Sequence, residues 1–201
     1  MKKYFLSILL FLGAAVTAFA DSPLTSTEWW QHYTSNAIIV EANSQGCTDN
    51  VMDLICDDTQ PLELRLAAVN AIGWKFEGQN NYQRCLKHFT KKHNTTIDEV
   101  DEYFSPESYC VFAYLMALDN YFEVDDALEM ATHAQQLKPT SKGIALIRAL
   151  IAAQQLLNGN WCELYRTVAI VTYDKSLEKD VSEVMVEEIM DYIKDYLGYC
   201  H

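Results

Sequence analysis

Residues 105–161, SPESYCVFAYLMALDNYFEVDDALEMATHAQQLKPTSKGIALIRALIAAQQLLNGNW, decide the fold. Apolar residues recur in this stretch every three or four positions, the spacing of helices that bury one face. Ser105-Pro106 is typical of a helix start, because Ser caps a first turn and Pro fits its first position. Pro139 and Gly159 are typical of positions that follow helix ends. The stretch therefore predicts consecutive helices joined by short turns.

The rest of the chain has similar residues at the expected helix starts and ends, so helices are predicted almost throughout. We expect further helices at about 27–43, 48–56, 61–78, 80–93, 96–104, 161–173 and 176–198. Residues 167–172 are rich in β-branched side chains and could instead form a strand. No linker or low-complexity tract divides residues 21–201. The sequence predicts one all-α domain of antiparallel helical hairpins, arranged either as an α-solenoid or as an irregular helical bundle.

The hairpin predicted at about 108–139 resembles a tetratricopeptide repeat. Ala127, Ala134 and Pro139 have the spacing of that family's small residues and terminal Pro. Small residues matter there because the axes of packed helices approach to about 8–10 Å. Leu115 and Leu118 depart from the family's pattern, since a small residue and a Tyr are expected at their positions.

The next hairpin, at about 145–174, is similar to the same family in Ala152 and in the turn Gly159-Asn160-Trp161, but Leu164 replaces an Ala. The resemblance covers about residues 108–174. It implies stacked helix pairs whose concave face binds a protein or peptide without any chemistry.

The first twenty residues have the composition of a secretory signal peptide. Two Lys residues precede an uncharged, mostly apolar run over residues 4–16, and Ala18-Phe19-Ala20 supplies small residues before a cleavage site. The run is too short for a comfortable membrane span, although an uncleaved anchor is the alternative. We expect a mature chain that begins at Asp21, is exported to the periplasm or secreted, and has no membrane span.

The charge of the chain limits its partners. The formal net charge is −13, and it becomes −15 for residues 21–201 because the first twenty residues contain two Lys and no acid. Nucleic acid is therefore not an expected partner, since phosphate binding requires a basic face. Cationic partners are compatible with this charge.

Six cysteines follow the predicted cleavage site, and an even number in an exported chain suggests disulfides: Cys47, Cys56, Cys85, Cys110, Cys162 and Cys200. Cys47 and Cys56 flank a helix too long for a bridge between them. Cys85 and Cys110 lie on helices that could be neighbours, as do Cys162 and Cys200. These two pairs are the candidate disulfides, and free buried thiols are the alternative.

No motif predicts catalysis or a cofactor. The sequence has no zinc-spaced Cys/His cluster, calcium loop, phosphate loop or GxSxG elbow. Trp29 and Trp30 form a candidate partner surface, because two adjacent indoles on one helix cannot both face the same core. The sequence favours a non-enzymatic module that binds a protein or peptide. The alternatives are an acidic inhibitor or immunity-type protein that neutralises a basic enzyme, and a hydrolase whose site assembles from residues distant in sequence.

Overall fold

The computed structural model describes residues 22–201, so the predicted signal peptide lies outside the described residues. The α-helices are α1 Ala37–Gln45, α2 Asp49–Ile55, α3 Leu62–Ile72, α4 Asn81–His93, α5 Pro106–Asp119, α6 Asp125–Leu137, α7 Lys142–Gln155, α8 Trp161–Tyr173 and α9 Glu183–Ile193. Short 3-10 segments lie at Trp29–Tyr33, Ile97–Glu102, Leu156–Asn158 and Lys194–Tyr199. This part of the chain contains no strand, which confirms the all-α prediction. None of its helices is long and apolar enough to cross a membrane.

Side-chain caps determine where several helices begin. Thr48, Ser105, Ser141 and Ser182 each accept a hydrogen bond from the backbone N–H three residues further on. Such a bond satisfies one of the N–H groups that a first turn leaves without a helical partner. The starts of α2, α5 and α7 therefore follow from local sequence, and those of α2 and α5 agree with prediction.

The predicted helix at 27–43 is interrupted. A 3-10 segment ends at Tyr33, and Asn36 then caps α1 by accepting a hydrogen bond of 2.9 Å from the Ile38 N–H. The helix predicted at 61–78 ends earlier, at Ile72. Gly73 stops it with a φ of 67°, a left-handed conformation that glycine adopts without steric cost.

The last helix also begins later than predicted, at Glu183 instead of near Ser176. The Ser176 N–H and hydroxyl donate to Asp174, so this serine closes a turn. The segment then pairs with the start of α7, where the Glu178 N–H donates to the Thr140 carbonyl at 2.8 Å. This turn and the contact with the start of α7 therefore keep residues 174–182 out of the last helix.

The buried apolar side chains form one cluster that extends from Leu24 to Ile193. Helix α6 packs between α5 and α7. Ala127, Ala131 and Ala134 of α6 are each at most 1% exposed, and their small side chains permit close helix packing. Ala127 and Ala134, which suggested the first repeat, are thus buried at helix contacts, whereas Ala152 of the second is half-buried. The resemblance itself remains a prediction.

Candidate functional site

A cleft of about 750 Å³ opens at one end of the helices, where the loop after α5 meets the end of α7, the start of α8 and the C-terminal 3-10 segment. Its volume lies within the range of about 300–1,000 Å³ that is usual for ligand sites. Five aromatic side chains contribute to its lining: Tyr121, Phe122, Trp161, Tyr196 and Tyr199.

A disulfide fixes one wall of the cleft. The structure joins Cys162 and Cys200, as predicted, with their Cα atoms 4.8 Å apart. Their neighbours Trp161 and Tyr199 meet edge to face, with ring centroids 4.4 Å apart. The Trp161 indole N–H also donates to the Leu157 carbonyl at 3.0 Å. The indole is therefore oriented by a hydrogen bond, a ring contact and an adjacent covalent link.

Gln154 gives the cleft a buried hydrogen-bond acceptor. Its side chain lines the cleft, although the residue is only 9% exposed. The Nε2 atom donates to the Tyr121 carbonyl at 3.1 Å, whereas Oε1 is buried and has no hydrogen-bond partner among the described residues. A buried acceptor left without a donor costs about 1–3 kcal/mol. Oε1 is itself closed to solvent, so a ligand N–H or O–H group would gain this hydrogen bond only if the Gln154 side chain turned toward the cleft.

The polar lining of the cleft is acidic or neutral. Glu123 and Asp125 are exposed lining residues, and Asp125 accepts a hydrogen bond from the Gln155 side chain. Of the described residues that line the cleft, none is Lys, Arg or His. Phe122 and Tyr199 leave 57% and 51% of their surface exposed. The cleft thus presents aromatic surface and negative charge together.

Comparison with known proteins found no matching family model, no matching curated protein and no matching solved structure.

The candidate surface at Trp29 and Trp30 lies elsewhere, and for Trp29 the prediction is wrong. Trp29 is 0% exposed and meets the Tyr33 ring edge to face at 6.1 Å. Trp30 is half-buried against the core, and its backbone N–H donates to Asn70 Oδ1 at 3.0 Å. Neither residue lines the aromatic cleft.

The candidate pair Cys85 and Cys110 requires a correction too. Both residues are buried free thiols in the structure. Helices α4 and α5 are neighbours as expected, but the Cys85 sulfur lies 3.4 Å from that of Cys47, in the turn between α1 and α2. The direction in which the Cys85 side chain leaves its helix decides its partner, and helix adjacency alone does not supply that direction.

Sequence reasoning missed the cleft itself. Its aromatic residues come from separate segments, and only the fold brings the chain end beside the loop after α5. One signal was available, since the adjacent aromatic residues Tyr121 and Phe122 follow a predicted helix end. Nothing in the sequence pointed to Gln154, because Gln is common near the ends of helices.

Proposed function

We propose that this chain is an exported, non-enzymatic module that binds a protein or peptide segment by taking a Lys or Arg side chain into the aromatic cleft. The observation that carries the proposal is a cleft lined by aromatic rings and carboxylates, together with the unpartnered Oε1 of its lining residue Gln154. Each of these groups favours a cationic donor. The faces of aromatic rings attract cations, the carboxylates at positions 123 and 125 provide opposite charge, and Oε1 accepts from an ammonium or guanidinium N–H.

The size of the cleft supports a peptide segment instead of a single side chain. About 750 Å³ exceeds what one Lys or Arg side chain occupies. Residues on either side of the cation would then pack on Phe122 and Tyr199, which are exposed aromatic side chains at this surface. Tyr and Trp commonly anchor such contacts because they combine a large apolar area with a polar group.

Two features support export. Residues 1–20 have the composition of a signal peptide. The disulfide between Cys162 and Cys200 is of a kind that persists in oxidising compartments and is rare in reducing ones.

The test begins with a positional-scanning hexapeptide library presented to the purified protein. We expect selection of Lys or Arg at one position and of apolar or aromatic residues beside it. Replacing the selected cation by norleucine should weaken binding at least about tenfold in calorimetry, because the ring and carboxylate contacts are then lost. Selection of acidic residues, or equal binding of the norleucine peptide, would contradict the proposal.

Variants assign the binding to this cleft. Gln154→Leu should lower the affinity for the selected peptide about five- to twentyfold, since the buried acceptor is removed while the side-chain volume stays similar. Glu123→Gln with Asp125→Asn should reduce affinity and its salt dependence. The matched control is Asp98→Asn with Glu99→Gln, which removes the same charge from exposed positions outside the cleft. If both double variants weakened peptide binding equally, the peptide would be attracted only by the net negative charge of the protein and not by the cleft.

A second candidate is an inhibitor that neutralises a basic enzyme through the same surface. The exposed Phe122 and Tyr199 beside Glu123 favour it, because a basic side chain on a folded protein could meet the same groups. The two candidates differ in the state of the ligand. A short flexible peptide should bind the module well, whereas an inhibitor should bind only a folded cationic surface and should lose the complex when that partner is unfolded.

A further inference from the structure

Three cysteine residues lie together away from the aromatic cleft. They come from the turn that precedes α2, the end of α2 and the first half of α4. The Cys47 and Cys85 sulfurs are 3.4 Å apart. The Cys56 thiol lies 3.6 Å from the Cys85 carbonyl oxygen, to which it donates. The three residues are 4%, 1% and 0% exposed for Cys47, Cys56 and Cys85, and all are free thiols in the structure.

The surroundings of Cys47 and Cys85 shift the pKa values of their thiols in opposite directions. The pKa of Cys47 is lowered, chiefly by the hydrogen bond from the Cys85 thiol and also by the charge of Arg84. Arg84 is held beside the turn, because its Nη2 donates to the Cys47 carbonyl at 2.6 Å. Hydrogen bonds with the Cys47 and Cys56 thiols raise the pKa of Cys85. Cys47 is therefore the sulfur better able to exist as the nucleophilic thiolate, while Cys85 retains its proton.

We propose that Cys47, Cys56 and Cys85 form a redox-responsive thiol centre, in which Cys47 and Cys85 close a disulfide and Cys56 can replace Cys47 as the partner of Cys85. Cys85 is the shared partner because the Cys47 sulfur lies beside its sulfur and the Cys56 thiol contacts its backbone carbonyl. The two nearest sulfurs need to move about 1.4 Å closer to reach the bonding distance of about 2.0 Å. Side-chain rotation and a small shift of the turn that carries Cys47 can supply this movement.

The oxidant is an external disulfide, such as oxidised glutathione. The Cys47 thiolate attacks one of its sulfurs, the external S–S bond breaks, and one glutathione thiolate leaves. The Cys85 sulfur then attacks the Cys47 sulfur of the mixed disulfide and expels the second glutathione thiolate. Two protein thiols are oxidised, one external disulfide is reduced to two thiols, and the two protons pass to the departing thiolates. Attack by Cys56 on the Cys85 sulfur later moves the bond without any change in oxidation state.

The purified chain is tested in glutathione buffers of increasing oxidised fraction. It is then unfolded, alkylated and mapped by peptide mass spectrometry. We expect two disulfides, one between Cys162 and Cys200 and one between Cys47 and Cys85, with Cys56 and Cys110 alkylated. Reducing buffer should release Cys47 and Cys85 first, and the urea midpoint should fall as they are released. The proposal would be overturned if Cys47, Cys56, Cys85 and Cys110 were all alkylated in every oxidising buffer. A disulfide that includes Cys110 would overturn it too.

Substitutions test the role of Cys56. In Cys47→Ala, oxidation should produce a bridge between Cys56 and Cys85, and only Cys110 should remain alkylated. In Cys110→Ala, the matched buried control, the bridge between Cys47 and Cys85 should form as in the parent chain. Circular dichroism before oxidation establishes that each variant is folded. A folded Cys47→Ala variant whose Cys56 and Cys85 both stay alkylated would remove the exchange step.

Discussion

At the scale of single residues, the phenol of Tyr114 links stability to alkaline pH. Tyr114 is fully buried in α5, and its oxygen accepts a hydrogen bond of 2.9 Å from Asn70 Nδ2. Burial is the main cause that raises the pKa of Tyr114 to about 12 from its usual 10.0. The folded state therefore keeps this proton at pH values where the unfolded chain releases it. Because the unfolded state then binds fewer protons, stability must fall as pH rises from about 10 to about 12.

The substitution Tyr114→Phe isolates this effect. Between about pH 9 and pH 11.5 the parent chain should lose about 2 kcal/mol more unfolding free energy than the variant. Urea unfolding of both proteins at the two pH values measures the difference. At pH 9 alone the variant should be about 1 kcal/mol less stable, because Asn70 loses a hydrogen bond. Parallel losses in both proteins would show that Tyr114 does not cause the pH dependence.

At the scale of elements, α7 begins at a close contact that glycine makes without displacing its neighbours. A Cβ atom on Gly143 would lie 2.8 Å from Val181 Cγ1 and 2.9 Å from Leu62 Cδ2. The Gly143 N–H also donates to Asp180 at 3.0 Å, so the backbone is held at this position. A side chain at residue 143 would therefore force Val181 or Leu62 to shift where α7 approaches α3 and the segment before α9.

Gly143→Ala should reduce the unfolding free energy by about 1 kcal/mol. Overpacking costs about 1–3 kcal/mol, and the better helix propensity of Ala offsets about 1 kcal/mol of this. Gly198→Ala is the control, since a Cβ there meets no atom of residues 22–201 within 4 Å. The control should be neutral or slightly stabilising in urea unfolding. A Gly143→Ala variant as stable as the parent chain would show that Val181 and Leu62 move aside without cost.

The helices also show which parts of the fold were open to prediction. Starts set by a local cap, such as Thr48 and Ser105, are readable from sequence because donor and acceptor lie three residues apart. The last helix does not begin near Ser176 as predicted, because Ser176 bonds to Asp174 and the following Glu178 bonds to the distant Thr140. The aromatic cleft was not predictable for a similar reason: its walls meet only after α7, α8 and the chain end have packed.

At the scale of the whole molecule, the disulfide between Cys162 and Cys200 ties the end of the chain to α8. The link closes a loop of 38 residues that contains α9. In the chain-entropy account, a loop of this length restricts the unfolded state by about 4 kcal/mol. The same link holds the wall of the cleft formed by Trp161 and Tyr199.

Replacing both cysteines, Cys162→Ala with Cys200→Ala, should lower the unfolding free energy by about 2–4 kcal/mol in urea. The same double variant should bind the library-selected peptide less tightly, because Tyr199 is no longer held beside Trp161 and the cleft must order its wall on binding. The paired control is Cys110→Ala, which removes a buried free thiol that does not line the cleft and should leave peptide affinity unchanged. A double variant that loses stability but keeps full affinity would show that peptide binding in the cleft does not depend on the disulfide. That result would mean the ring contact and the Trp161 hydrogen bond are sufficient to organise the wall.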